Sequence, residues 1–458
     1  MGRTFSRAAS HSGRCGSRLG AVTLAAGVLA AFGVGCAAPT PETRPSLLLV
    51  VVDTLRADAV SAYGAVAGTT PAIDALAAGG VRYTHAYAPA PWTIPSHASL
   101  FTGLGVERHR VGIGNRMTAA PELVMLAERL RDAGYETAAF VENSLVGEPF
   151  GMMQGFEHTA VQPLTQGLAE IARAGSSTFD ALASLDAWAR RRDAGRPFFV
   201  FVNLIDAHEP YLVRPTNRFL PPGVDAARAA EVARAQSPMR ICDAIPPADE
   251  LAILHGLYLG DVAAADAKVG AIHRRVAAAA GAQLLVTIVT ADHGEHLGEH
   301  HMLDHKLSLY EPLLQVPLIL WNPKRIPKGM RIETQVQTHD VFGTLLDFAG
   351  VDRESAPRLP FADDGERRTF AELAYPKIFL DAIDRELPGL GQRTLPFARS
   401  LKAVRGPRYK LIEGSDGSVE LYDLDADPDE SRDLADELPQ VVARLKKSLD
   451  ELDEDPGS

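Results

Sequence analysis

Four apolar runs stand out along the chain: Ser46–Asp53, Pro197–Leu204, Leu284–Ala291 and Pro317–Trp321. Each is continuous rather than alternating, the pattern of a parallel strand buried on both faces. Between them, apolar positions recur at helical spacing over Pro121–Ala133, Thr178–Arg192, Asp249–Ala280 and Asp340–Phe348. Strand and helix alternating in this way predict an α/β domain with a mostly parallel central sheet flanked by helices. Sites in such sheets lie beyond the carboxyl ends of the strands. Asp53, Asp206, His208, Asp292 and His293 all fall at or just past such ends.

The rhythm changes twice. Arg214–Pro247 is long, polar and proline-containing, and two readings stay open: a wall of the substrate pocket, or a surface excursion. Farther on, Leu401–Leu424 reads as a hairpin turning at Glu413–Gly417, and Gln440–Leu452 as a closing amphipathic helix. The expected division is a leader over 1–35, a tether over 36–45, a main domain over 46–354 and a small C-terminal α+β subdomain over 355–458.

Arg3, Arg7, Arg14 and Arg18 precede the apolar run Leu19–Val34, the layout of an export signal. The run is shorter than the roughly 20 residues a membrane span needs. Gly33-Val34-Gly35-Cys36 looks like a lipoprotein cleavage site, which would leave a lipid on Cys36 and anchor the chain to a membrane, at the periplasm or the cell surface. An uncleaved anchor is the alternative. With Cys15 in the leader and Cys36 acylated, Cys242 is left alone, so the mature chain has no internal disulfide. The net charge of −12 disfavours a nucleic-acid partner. Oligomeric state is not legible.

The chemistry concentrates in Thr93-Ile94-Pro95-Ser96-His97-Ala98-Ser99, a hydroxyl on a proline-containing turn, with Asp53, Asp292 and His293 at distant strand ends. That combination suggests a metal-activated nucleophile. The layout resembles the sulfatase family of the alkaline-phosphatase superfamily, whose Cys/Ser-x-Pro-x-Arg-x-Ser pattern opens the nucleophile helix. Val51-Val52-Asp53-Thr54-Leu55-Arg56, Thr290-Ala291-Asp292-His293-Gly294-Glu295 and Glu420-Leu421-Tyr422-Asp423-Leu424 extend the likeness from about Ser46 to Leu452. The resemblance implies that Asp53, Thr93, Asp292 and His293 bind one divalent ion (Mn, Mg, Ca or Zn). The family usually has a second Asp after Asp53. Its loss here shifts the expectation from Ca towards Mn or Zn.

Two departures bear on the substrate. Thr93 stands where the family has Cys or Ser, and threonine cannot be oxidised to the aldehyde hydrate that sulfatases use. Phosphoryl transfer is therefore favoured over sulfuryl transfer. His97 replaces the family's Arg and lacks its bidentate fork. His208, His305 and Lys306 match anion-binding positions, with His305 slightly favoured over Lys306 and either histidine open as the acid. His296, His300 and His301 suggest a second metal, but Asp206-x-His208 does not match the spacing of two-metal relatives, so one metal is expected. The Gly-Lys-x-His segment is missing, with Asn143 nearby as a possible substrate contact. Ser96, Ser99 and His109 read as structural. Thr93 as a mere helix cap is the bland reading. The favoured function is an exported, metal-dependent hydrolase of phosphate mono- or diesters, or sulfate esters, on a small-molecule, sugar or lipid substrate. The alternatives are a headgroup phosphotransferase and a catalytically silent binding lipoprotein.

Overall fold

The computed structural model describes residues 44–114, 116–163, 179–235, 246–281, 284–386 and 395–454. The leader, the acylation site at Cys36, most of the tether, Cys242 and part of the Arg214–Pro247 segment lie outside the described residues. Among the described residues no helix is long and apolar enough to cross a membrane.

A nine-stranded sheet organises the larger part. Its strands are β1 (Ser46–Val52), β2 (Val81–Tyr87), β3 (Glu136–Val141), β4 (His158–Val161), β5 (Phe198–Leu204), β6 (Leu285–Thr290), β9 (Gln315–Trp321), β10 (Met330–Ile332) and β11 (Val336–Gln337). The short strands β7 (His296–Leu297) and β8 (Leu303–Asp304) form a separate ribbon. The sheet order is β10-β2-β9-β6-β1-β5-β3-β4, with β11 also pairing β2. Neighbours are parallel except β9, which runs antiparallel to both β6 and β2. The apolar runs explain the centre: β1, β5 and β6 are buried along their whole length. Burying each Leu, Val or Phe there contributes on the order of 2 kcal/mol.

Helices cover both faces. The longest, Ala248–Ala280, packs behind β1 and β6. The helix expected over Pro121–Ala133 is shorter, Leu126–Asp132, because residues 121–125 form a turn that leads into its cap. At the C-terminus the expected hairpin is a larger unit. β13 (Leu401–Arg405), β14 (Tyr409–Gly414) and β15 (Val419–Asp423) form a meander, and β12 (Thr369–Leu373) adds a fourth antiparallel strand. The helix Pro439–Glu454 packs on this sheet.

A buried ionic cluster joins the two sheets. The Lys410 ammonium lies 3.1 Å from Glu311 and 2.8 Å from Glu430, and Arg405 lies 3.2 Å from Glu311.

Candidate active site

Two adjacent strand ends and one helix start converge on a buried point. β1 ends immediately before Asp53, and β6 ends at Thr290, one residue short of Asp292-His293. Thr93 is the first residue of the helix Thr93–Thr102, which is buried throughout. Pro95 fits there because its missing N–H is one of the helix's unpaired first donors. The same start directs the positive end of the helix dipole towards the site.

The His293 ring fixes the chemistry. Its Nδ1 lies 2.9 Å from the Gly294 carbonyl, so that nitrogen is the donor and Nε2 presents a lone pair. Facing Nε2 are Asp292 Oδ2 at 3.3 Å, Thr93 Oγ1 at 3.4 Å and Asp53 Oδ1 at 3.7 Å. Asp53 Oδ1 and Asp292 Oδ2 are buried and meet no hydrogen-bond donor. Acceptors aimed at acceptors in a dry site repel unless a cation sits among them. Two carboxylates and an imidazole fit a divalent ion of intermediate hardness. The electrostatics agree: burial, and then the neighbouring Asp53, push the Asp292 carboxyl well above its ordinary value, against backbone N–H bonds that pull it down.

Supporting contacts hold these ligands in place. Asn143 Nδ2 donates to Asp53 Oδ2 at 2.6 Å, so Asn143 positions a carboxylate instead of reaching outward. Ser96 Oγ donates to the Asp292 carbonyl at 2.5 Å. His109 Nε2 meets Ser99 Oγ at 2.8 Å while its Nδ1 accepts from the Val111 N–H, a latch within the helix surroundings.

The remaining expected residues divide. His97 is fully buried behind Asp292, with Nδ1 2.9 Å from the Thr93 carbonyl and 3.4 Å from Asp292 Oδ2, and its ring edges against Phe101 and Phe201. It backs the ligands where the family's Arg would reach an anion. His208 and His305 stand beside His293, with ring centroids 5.0 Å apart from each other and 4.4 Å between His293 and His305. His208 is half-buried, and its Nδ1 lies 2.5 Å from the Glu209 carbonyl. Lys306 meets Asp304 directly and Glu209 at 3.7 Å. Its ammonium lies 5.9 Å from the Phe379 ring, which packs edge-on against Trp92.

Asp206 turns away to Lys268 at 2.6 Å and Arg214 at 3.3 Å. The histidine group proposed for a second metal is dispersed: His296 Nε2 lies 2.8 Å from Ser308 Oγ, His300 stacks on Tyr310, and His301 is exposed. Sequence reading passed over Glu209, Glu295 and Asp304, which crowd the His305–Lys306 pair. The signal was present as carboxylates beside each motif, but their convergence depends on loop backbone.

Comparison with known proteins relates the chain's sequence and fold to sulfatases. The family profile described as Sulfatase covers residues 45–351. A Delta 4,5-hexuronate-2-O-sulfatase of Bacteroides thetaiotaomicron is 24% identical over 455 residues, covering 91% of this chain and 90% of its own length. Arylsulfatase K of Rattus norvegicus is 22% identical over 468 residues, covering 90% and 80%. The fold is also that of the phosphonate monoester hydrolase of Agrobacterium radiobacter, with a TM-score of 0.67 at 22% identity over 89% of this chain and 95% of that one.

Proposed function

This chain belongs to the sulfatase family, and from that premise we propose an exported, divalent-metal-dependent hydrolase of phosphate mono- or diesters that works through a Thr93 ester. Hydrolysis of sulfuric or phosphoric ester bonds is what the family relationship supports. The narrower reading rests on one observation: Thr93 Oγ1 lies 3.4 Å from the His293 lone pair, at the start of a buried helix.

Asp53, Asp292 and His293 would hold a divalent ion, which would supply Lewis-acid charge to make the threonine hydroxyl more acidic. Thr93 Oγ1 attacks phosphorus, and the bond to the leaving oxygen breaks. The net proton moves from the threonine to the departing alcohol. His208 is the carrier we favour, since it is half-buried and its Nδ1 donates to the Glu209 carbonyl, which leaves Nε2 to take the threonine proton and pass it to the leaving oxygen. Water then displaces the threonine and restores the hydroxyl. His97 and Asn143 keep Asp292 and Asp53 in place throughout. The basic and apolar leader, with Cys36 as the acylated residue, supports export and membrane anchoring.

Intact mass spectrometry after brief exposure to aryl phosphate mono- and diesters and to aryl sulfate tests the reading. A phosphoryl adduct on Thr93 with phenol release is the expected result. A sulfuryl adduct that turns over would replace the substrate class with sulfate esters. No adduct and no phenol with any divalent metal would favour a silent scaffold.

A further inference from the structure

We propose that Glu295, Asp304 and His305 hold a second divalent cation beside the first. The inference deepens the proposed reading, since it concerns the same site and an anionic ester. All three residues are buried, at 0%, 3% and 2% exposure. His305 Nδ1 lies 3.1 Å from Glu295 Oε1 and 3.1 Å from Asp304 Oδ1. One ring nitrogen has one proton to give and faces two carboxylates. Their other oxygens, Glu295 Oε2 and Asp304 Oδ2, are buried and meet no hydrogen-bond donor.

The separations suit a metal as well as they suit a proton. Neighbouring ligands about 2.1 Å from an octahedral ion stand roughly 3.0 Å apart. Asp304 is also held at φ 74°, a left-handed backbone that a non-glycine residue adopts at some cost. Asp304 pairs with His296 at the open end of the β7–β8 ribbon, which brings it back beside Glu295.

Charge points the same way. Glu209, Glu295 and Asp304 bring three carboxylates together around His305 and Lys306, whose ammonium meets Glu209 and Asp304. Burial pushes Glu209 up to about 8 and Glu295 well above its ordinary value, so without a cation protons hold this charge. With all three carboxylates ionised, three minus one leaves two negative charges among these four side chains, which one divalent ion cancels. That neutrality removes the repulsion an ester anion would otherwise meet. Lys306 cannot do this alone, because its single charge is spent on Asp304 and Glu209.

The test is stoichiometry, read by calorimetry and elemental analysis on the metal-stripped full chain titrated with Mn²⁺ or Zn²⁺. The wild type is expected to bind two equivalents. Asp53→Asn and Glu295→Gln are each expected to keep one, and the double variant none. One equivalent in the wild type, lost in Asp53→Asn but kept in Glu295→Gln, would overturn the second site and leave the first standing. One equivalent kept in Asp53→Asn and lost in Glu295→Gln would support the second site and overturn the first. Two equivalents kept in Glu295→Gln and in Asp304→Asn would place the second ion elsewhere and overturn the proposal. No binding at all would overturn both. Should Glu295→Gln fail to fold, Asp304→Asn and the wild-type count decide.

Discussion

Two buried ionic clusters lie at opposite ends of one short segment, residues 304–311, and they add up differently. At the C-terminal end, Glu311 and Glu430 meet Lys410 and Arg405, two negative groups against two positive ones. At the other end, Glu209 and Asp304 meet Lys306, while Glu295 and Asp304 meet the His305 ring. Among the described residues, no lysine or arginine forms an ion pair with the Asp53, Asp292 and His293 nest beside it. A cluster that neutralises itself needs nothing further and serves as a joint between two sheets. A buried cluster with surplus charge is stable only when something else arrives. Charge balance, more than the number of ionic contacts, separates scaffold from site here.

The comparison breaks hardest at the nucleophile. Thr93→Ala removes one hydroxyl from the surplus-charge side and touches no ion pair. Turnover of aryl phosphates should fall on the order of 10³-fold or more, as for nucleophiles elsewhere. Metal binding and the unfolding midpoint should stay near wild type. Substantial residual turnover would remove Thr93 from the mechanism.

At the balanced joint the effect should be on stability. Lys410 is 1% exposed, and Lys410→Met leaves Glu311 and Glu430 buried with too little positive charge. Breaking a buried pair in this way costs about 3–5 kcal/mol. Urea unfolding should show the loss, while metal stoichiometry in the folded fraction should remain unchanged. A smaller cost than about 1 kcal/mol would mean that solvent reaches the joint.

A third test stays on the unbalanced side but one contact removed from it. Asn143 Nδ2 holds Asp53 Oδ2 at 2.6 Å, and Asn143→Ala frees that carboxylate to rotate. Such supporting contacts are worth about 10- to 100-fold in metal affinity. Calorimetry with Mn²⁺ should show a drop of that size, with no change in the joint. Unchanged affinity would mean that Asp53 is held by its strand alone.

The difference between the clusters also explains what could be read in the sequence. β1, β5 and β6 were legible because continuous apolar runs have one common explanation, burial on both faces. The direction of β9 was not, since a single run says nothing about which way it threads. β2 escaped because Arg82, Thr84 and His85 interrupt its apolar pattern near the edge of the sheet. Asp53, Asp292 and His293 were readable because a strand end fixes where a side chain goes. Glu209 and Glu295 lie on loops, and Asp304 ends the two-residue strand β8. Their convergence depends on the left-handed backbone at Asp304, and their summed charge exists only once the chain is folded.

The gentlest separation is by pH, through Glu311. Burial alone would raise its carboxyl, but Lys410 and Arg405 overcome that and hold it below its ordinary value. A carboxylate with a depressed folded value contributes stability that is fully present above its unfolded pKa, about 4.5. That contribution fades as pH falls through the folded value. Asp292 has the opposite shift, raised well above its ordinary value by burial and by Asp53. In the metal-free chain its contribution is therefore present at low pH and lost as pH rises. Glu311→Gln should lower the unfolding midpoint at pH 7, and its deficit should shrink below about pH 4, where the wild-type carboxylate is also neutralised. A deficit that persists unchanged into acid would mean that Glu311 supports the joint by shape, and charge balance would lose its role there.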